Sequence, residues 1–234
     1  MQTNILDWLE ATAAHTPEGA AVGDAQQDYT WAQLAENARR AGSFLADHTA
    51  PRCPVAFYLE KSAPVLAAML GTVYAGCCYS VLDTRQPAAR TQQVLSTLQP
   101  SLLITDRDHA DAAAALGCSC NVYLLEDLLT AAVQPSLLAA RRAQAVDVDP
   151  LYINFTSGST GVPKGVTVSH RSVLDFIPQF AAIFGIKAQD ILGNQAPFDF
   201  DVSVKDLYTA LYTGAKVQII PRAYFSQPTK LMDY

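Results

Sequence analysis

Charge is scarce in this 234-residue chain: Lys, Arg, Asp and Glu together make up only 16% of it, and 16 bases against 22 acids leave a net charge of −6. That balance argues against an extended surface for a nucleic-acid backbone, and basic pairs such as Arg39/Arg40 and Arg141/Arg142 read as solvated faces. Histidine is sparse too. The four, at 15, 48, 109 and 170, are too scattered to suggest a metal site. The five cysteines form no CxxC pair: Cys77 and Cys78 are adjacent and would face opposite sides of a strand, while Cys118 and Cys120 stand one residue apart. Inert thiols in a reducing cytoplasm fit that pattern. The opening segment MQTNILDWLEATAAH has acids where a signal peptide would carry bases, so export is not expected.

What the chain has in quantity is apolar surface. Half of the residues are hydrophobic, which excludes a disordered tail, and the length suits one to two domains at roughly 150 residues each. Residues 62–82 carry no charge over a length that could cross about 30 Å of hydrocarbon. Gly71, Gly76, Ser62 and Ser80 interrupt the run, and its pattern changes from helix-like (Val65, Leu66, Met69, Leu70, Val73) to strand-like (Cys78 to Leu82), so a buried helix followed by a buried strand fits better than a membrane span.

The same alternation recurs along the chain. Helices are expected over 4–15, 32–45, 63–75, 87–98, 108–116, 170–185 and 203–213, with strands over 55–59, 78–82, 101–105, 121–125, 151–155, 166–168, 191–197 and 216–220. Residues 126–149 read as a polar, Ala-rich passage. Strands separated by helices of about a dozen residues predict right-handed crossovers and a mostly parallel sheet, an α/β fold. The chain stops at Tyr234 soon after a strand, which gives the impression of a cut.

Between two of these strands lies TSGSTGVPKG, residues 156–165. Three glycines let backbone N–H groups turn toward an anion, four hydroxyls (Thr156, Ser157, Ser159, Thr160) can donate to phosphate oxygens, and Lys164 adds a mobile positive charge. The spacing is not that of a Walker A loop, because Pro163 stands five residues after Gly158 and Lys164 is followed by Gly165. Composition alone would favour a Gly/Ser surface turn; the order of the ten residues between two strands favours polyphosphate instead.

Here the sequence resembles the adenylate-forming enzymes, and among them the amino-acid adenylation domains of nonribosomal peptide synthetases and the D-alanine–carrier-protein ligases. The likeness spans nearly the whole chain. Tyr29-Thr30-Trp31-Ala32-Gln33-Leu34 is similar to the family's first core motif, and residues 74–83, YAGCCYSVLD, are similar to its Lys-Ala-Gly-x-Ala-Tyr-Val-Pro-Ile-Asp motif, with Pro87, Arg90 and Thr105-Asp106 in its continuation. Tyr74 replaces the usual Lys and Ser80-Val81 the usual Val-Pro, in a motif that mainly packs the sheet. Residues 152–165 resemble the signature phosphate loop. The resemblance implies that a substrate carboxylate attacks the α-phosphorus of ATP and expels magnesium pyrophosphate, so that the protein positions reactants and neutralises charge. It also implies that Thr156, Ser157, Gly158, Ser159, Thr160, Gly161 and Lys164 hold the β- and γ-phosphates. Lys164, the candidate catalytic lysine of this segment, would act as a clamp; the family's essential lysine lies in a C-terminal lid expected beyond this piece, as do the magnesium ligand, the adenine-stacking aromatic and the ribose-binding Asp.

Residues 198–206 read FDFDVSVKD, and the family's Phe-Asp-x-Ser pattern fits Phe200-Asp201-Val202-Ser203. By that resemblance Asp201 faces a substrate ammonium, a sensible partner for a partly buried carboxylate. A plain helix N-cap is its alternative role, and Asp199 is the better candidate for a purely structural carboxylate. The resemblance thus implies an amino-acid adenylating ligase that passes its product to a phosphopantetheine thiol on a carrier protein, with no nucleic acid or membrane as partner. The alternatives are an acyl- or aryl-CoA ligase, which has no use for Asp201, and an inert nucleotide-binding piece. The implied architecture is two stacked doubly wound α/β subdomains, one over residues 48–185 and an incomplete second over 1–47 and 186–234, with the ligand between them. Exposed apolar surface is expected where the second is unfinished.

Overall fold

A computed structural model describes residues 2–157 and 162–234, Ser157 by its backbone alone. In chain order the elements are α1 (Leu6–His15), β1 (Ala20–Gly23), β2 (Asp28–Thr30), α2 (Trp31–His48), β3 (Pro54–Tyr58), α3 (Ala63–Tyr74), β4 (Cys78–Leu82), α4 (Ala88–Leu98) and β5 (Leu102–Thr105). Then follow α5 (Ala110–Ala115), β6 (Asn121–Leu124), α6 (Leu125–Thr130), α7 (Pro135–Ala143), β7 (Pro150–Ser157), β8 (Pro163–Ser169) and α8 (His170–Phe184). Last come β9 (Ile191–Asn194), α9 (Val202–Thr213), β10 (Lys216–Ile219), a 3₁₀ turn at Arg222–Ser226 and α10 (Pro228–Asp233).

The strands sort into two sheets. One has the order β6-β5-β3-β4-β7-β8, parallel except for its edge strand β8, and the other the order β2-β1-β10-β9, with β2 antiparallel. Along β3 the side chains alternate: Val55 and Phe57 join the main buried cluster, and Ala56 and Tyr58 a smaller one with Leu82, Val94, Leu95 and Leu103. The larger sheet is therefore covered on both faces, which is why its strands read as continuous apolar runs. Val22 and Val217 of the smaller sheet belong to the same main cluster as Val55 and Phe57, so the two sheets share one core through α2 and α3.

Local chemistry sets the framework. Thr30 caps α2 by accepting from the Gln33 N–H at 3.2 Å while Gln33 Oε1 accepts from the Thr30 N–H at 2.9 Å, a reciprocal box of the kind worth about 1 kcal/mol. The YTWAQL motif is thus a helix start. Helices α2 and α3 approach at paired glycines. A Cβ on Gly71 would lie 2.6 Å from Ala41 Cβ and 2.9 Å from the Ala38 carbonyl oxygen, and one on Gly42 would lie 2.5 Å from Tyr74 Cβ. Among the described residues no helix is long and apolar enough to cross a membrane, and residues 62–82 form the buried α3 followed by β4.

Several elements depart from the sequence reading. Helices α6 and α7 occupy the polar passage 126–149; each has too few buried anchors (Leu125 and Leu128 in one, Leu138 in the other) for a period to register. The short strands β1 and β2 were not expected, since β1 is defined by its parallel pairing with the distant β10. The segment between Phe155 and Val166 is a narrower loop than expected: β7 runs on to Ser157 and β8 begins at Pro163, with Thr156 opposite Lys164. Gly165 makes room for that pairing, because a Cβ there would lie 3.0 Å from Ile153 Cγ2 and 3.2 Å from the Phe155 ring.

Candidate functional site

At the tip of the β7–β8 hairpin, Thr156 and Lys164 are exposed and face one another across the pair. Gly158, Ser159, Thr160 and Gly161 lie outside the described residues, and Ser157 is described by its backbone alone. The base of the tip is tied from outside the hairpin: Arg90, on the first turn of α4, donates from Nη2 to the Thr156 carbonyl at 3.2 Å. A hollow of about 90 Å³ beside it is lined by Leu82, Asp83, Gln86, Arg90, Phe155 and Asp199. The guanidinium and the Lys164 amine supply positive charge where residues 156–165 were expected to take phosphates.

Asp201 is exposed and lies beside the hairpin's base rather than its tip. It precedes the first residue of α9 with helical backbone angles (φ −60, ψ −25), and its side chain makes no capping hydrogen bond, so the plain N-cap role is not exercised. Ser203 Oγ instead donates to the Phe200 carbonyl at 2.7 Å and closes the turn that presents Asp201. The carboxylate lines an open cleft of about 360 Å³ with Tyr152, Val168, Val173, Phe176, Val204 and Lys205. Tyr152 and Val168 pair with one another at the hairpin's base, about 13 Å along the strand from Thr156 at the usual rise per residue. Among the described residues Asp201 and Lys164 therefore do not share a hollow: Lys164 is at the hairpin's tip, and Asp201, at the start of α9, lines the cleft beside the hairpin's base.

Burial, and after it the Asp201 charge, push the Tyr152 hydroxyl up to about 12. Beneath the cleft the Tyr152 ring stacks on Tyr79 at 5.9 Å between centroids, and the Tyr79 and Tyr208 hydroxyls hydrogen-bond at 2.7 Å. This aromatic floor joins β7, β4 and α9, and so fixes where α9 begins.

The sequence reading missed Lys61. It lies between β3 and α3, and its ammonium donates to the carbonyls of Asn194, Gln195 and Ala196 at 2.8, 2.8 and 3.2 Å and to Asn194 Oδ1 at 3.1 Å. Burial lowers its pKa to about 8, against the pull of Asp206 and Glu60. The lysine thus bolts the end of β9, and the segment leading to Asp201, onto the larger sheet. A single cation between an apolar strand and an uncharged helix was its only trace in the sequence. Asp199 lies half-buried beside Asp83, and desolvation followed by the Asp83 charge raises its pKa; it lines the hollow beside the tip and a second small one with Glu60, Lys61 and Arg222.

Residues 9–234 match the family model described as AMP-binding enzyme. The chain belongs to the AMP-binding enzyme family. It is 34% identical over 216 residues to the pyochelin synthetase PchF of Pseudomonas aeruginosa, which covers 92% of this chain and 11% of that one. It is 27% identical over 235 residues to the D-alanine–D-alanyl carrier protein ligase of Staphylococcus haemolyticus, covering 99% of this chain and 45% of the ligase. Among solved structures, the nonribosomal peptide synthetase FmoA3 in its alpha-methyl-L-serine-AMP bound form superposes with a TM-score of 0.82 at 27% identity, over 93% of this chain and 24% of that one. The chain spans less than half the length of each of these relatives. In this AMP-binding family member the α/β architecture expected from the sequence, with parallel pairing in both sheets, matches the N-terminal part of such enzymes.

Proposed function

We propose that residues 1–234 are the nucleotide- and amine-recognising part of a protein that activates an amino acid with ATP, releases pyrophosphate, and passes the aminoacyl group to the phosphopantetheine thiol of a carrier protein. The observation that carries this reading is Asp201. Its carboxylate is left uncapped at the mouth of a mostly apolar cleft, where an ammonium group supplies the charge-assisted hydrogen bonds it lacks. A CoA ligase acting on a plain acid has no need of such a group.

In the proposed reaction an oxygen of the amino-acid carboxylate attacks the α-phosphorus, a new P–O bond forms, and the bond to the β-phosphate oxygen breaks to leave pyrophosphate. No side chain acts as nucleophile. Asp201 holds the ammonium and so orients the attacking carboxylate. Thr156, Ser157, Gly158, Ser159, Thr160, Gly161 and Lys164 receive the β- and γ-phosphates, Lys164 offsetting the charge that grows on the leaving group. Arg90 keeps the start of that segment in place through the Thr156 carbonyl. Magnesium bound to the phosphates would neutralise their oxygens, but no three His, Cys, Asp or Glu residues gather as a metal site among the described residues, and none is assigned to it.

The division into a subdomain over 48–185 and a partial one over 1–47 and 186–234 belongs to this proposal. It is supported by the way the strands sort into two sheets and by the cleft lying between Tyr152 of one and α9 of the other. A reducing, cytoplasmic setting accords with five free thiols. The test is ATP–pyrophosphate exchange across L- and D-amino acids by the complete protein that carries this chain. Exchange with amino acids is expected, and none from residues 1–234 alone; exchange driven only by acids without an amine would replace the reading with the CoA-ligase one.

A further inference from the structure

The amine site and the phosphate-holding segment are carried by different sheets. Asp201 lies on the segment that joins β9 of the smaller sheet to α9, while the β7–β8 hairpin with Thr156 and Lys164 belongs to the larger one. An in-line attack tolerates little error in the spacing between two such halves. The turn between β3 and α3 grips the smaller sheet at two of its strand ends. Ala63, the first residue of α3, donates its N–H to Asp24 Oδ2 at 2.8 Å, just past β1, where a carboxylate also suits a helix N-terminus. Two residues earlier, the Lys61 ammonium reaches the end of β9, where four oxygens receive it: the carbonyls of Asn194, Gln195 and Ala196, and Asn194 Oδ1. An ammonium has only three protons to donate, so none is left for a phosphate or a substrate carboxylate.

From Lys61 two routes of hydrogen bonds run to Asp201. One follows the chain: next to the Ala196 carbonyl that Lys61 holds, the Pro197 carbonyl accepts from the Phe200 N–H at 3.1 Å, and the Phe200 carbonyl accepts from the Ser203 N–H at 3.0 Å and from Ser203 Oγ at 2.7 Å. The other runs through side chains: the fully buried Asn194 donates from Nδ2 to Asp206 Oδ2 at 3.0 Å, on the same helix that Asp201 precedes. Both routes start at Lys61 and between them enclose Asp201, so a shift of this segment against the larger sheet must break the Lys61 contacts. We infer that Lys61 is a positioning residue for the amine site: through Asn194 and Asp206 it sets where Asp201 stands over the larger sheet, and so brings the substrate carboxylate into line with the phosphates at the hairpin tip. The inference rests on the reading of Asp201 as the amine site. A tether that served stability alone would affect both substrates equally, whereas a positioning residue acts on the amino acid and spares ATP.

The experiment is amino-acid-dependent pyrophosphate exchange by the complete protein that carries this chain, with thermal unfolding measured alongside. K61M keeps the stem and removes the donors; kcat/KM for the amino acid is expected to fall about 30-fold, the scale of a misplaced reacting group, with the KM for ATP within about twofold of wild type. K61R keeps a cation for the carbonyls and should recover most of that loss. D206A leaves Lys61 untouched and puts a good helix former in α9; it should lower the same parameter about three- to fivefold, and it carries the test if K61M does not fold. In a D201A background K61M should cost almost nothing further, because a residue that acts through Asp201 then has nothing to position. The inference is overturned, with the amine reading intact, by unchanged amino-acid kinetics in folded K61M, or in D206A where K61M does not fold. A loss equal for ATP and amino acid, or one that adds in full to that of D201A, overturns it too. D201A that still exchanges amino acids at the wild-type rate removes the amine reading, and this inference with it.

Discussion

At its base the β7–β8 hairpin is wedged between buried partners: Tyr152 lies over the Tyr79–Tyr208 pair, and His170, directly after β8, accepts from the Ile5 N–H at 3.4 Å through Nδ1 inside the core. At its tip Thr156, Val162 and Lys164 are exposed, and Arg90 holds the backbone through the Thr156 carbonyl. Buried aromatic and imidazole groups hold the base of the hairpin in place, because any shift there collides with close-packed neighbours, although Asp201 itself is exposed at the mouth of the cleft. An exposed tip has no such walls. On the proposed reading it would hold its ligand by charge rather than by shape, which suits a polyphosphate more than a shaped substrate.

Changes at the two ends should separate accordingly. The largest effect belongs to the base: Asp201→Ala is expected to lower amino-acid-dependent exchange at least about 100-fold, the scale of a lost charge-assisted hydrogen bond with its partner left exposed, while nucleotide affinity stays unchanged. A comparable loss of nucleotide affinity would erase the distinction between the ends. Next is the anchor His170, whose pKa burial first, and the Arg142 charge second, push down to about 4. A group depressed in the folded state binds fewer protons than in the unfolded chain, so its stabilising contribution is present above about pH 6.5 and is lost as pH falls toward 4, up to about 2–3 kcal/mol. Thermal unfolding of the wild type and His170→Gln at pH 7 and pH 4.5 checks it; equal slopes would remove His170 from the account.

Effects at the tip should be smaller. Lys164→Ala is expected to slow exchange about tenfold and raise the KM for pyrophosphate, with the KM for the amino acid unmoved. Arg90→Ala should raise the KM for ATP about three- to fivefold through loss of one charge-assisted contact to the Thr156 carbonyl, and Arg90→Lys should restore part of it. Smallest is Gly165→Ala, where Ile153 and Phe155 must give by a few tenths of an ångström, at about 0.5–1 kcal/mol in urea denaturation. A cost several times larger would mean that the tip is as tightly walled as the base.

Much of the framework was legible because it is written in local terms. Apolar runs and their flanking turns located β3, α3, β4 and β5 to within a residue or so, and the amphipathic stretch over 32–45 located α2, whose start the Thr30–Gln33 capping box sets at Trp31. Elements that depend on a distant partner were not legible. Strand β1 exists because β10, almost two hundred residues away, pairs with it in parallel; α6 and α7 have too few apolar anchors to show a period; and the hairpin reaches further toward its tip than composition suggested, since Thr156 and Lys164 pair across it.

By itself the sequence determined the chemistry on offer: a Gly- and hydroxyl-rich segment with Lys164, a carboxylate at 201 in a Phe-Asp-x-Ser setting, and the alternating elements that make an α/β layer, all of them set by side-chain type and short-range period. Tertiary structure alone decided that Asp201 is uncapped, that Lys205 shares its cleft while Lys164 does not, and that Lys61 clamps the segment before it. Those facts depend on how helices and strands far apart in the chain pack together, and no local propensity encodes that relation.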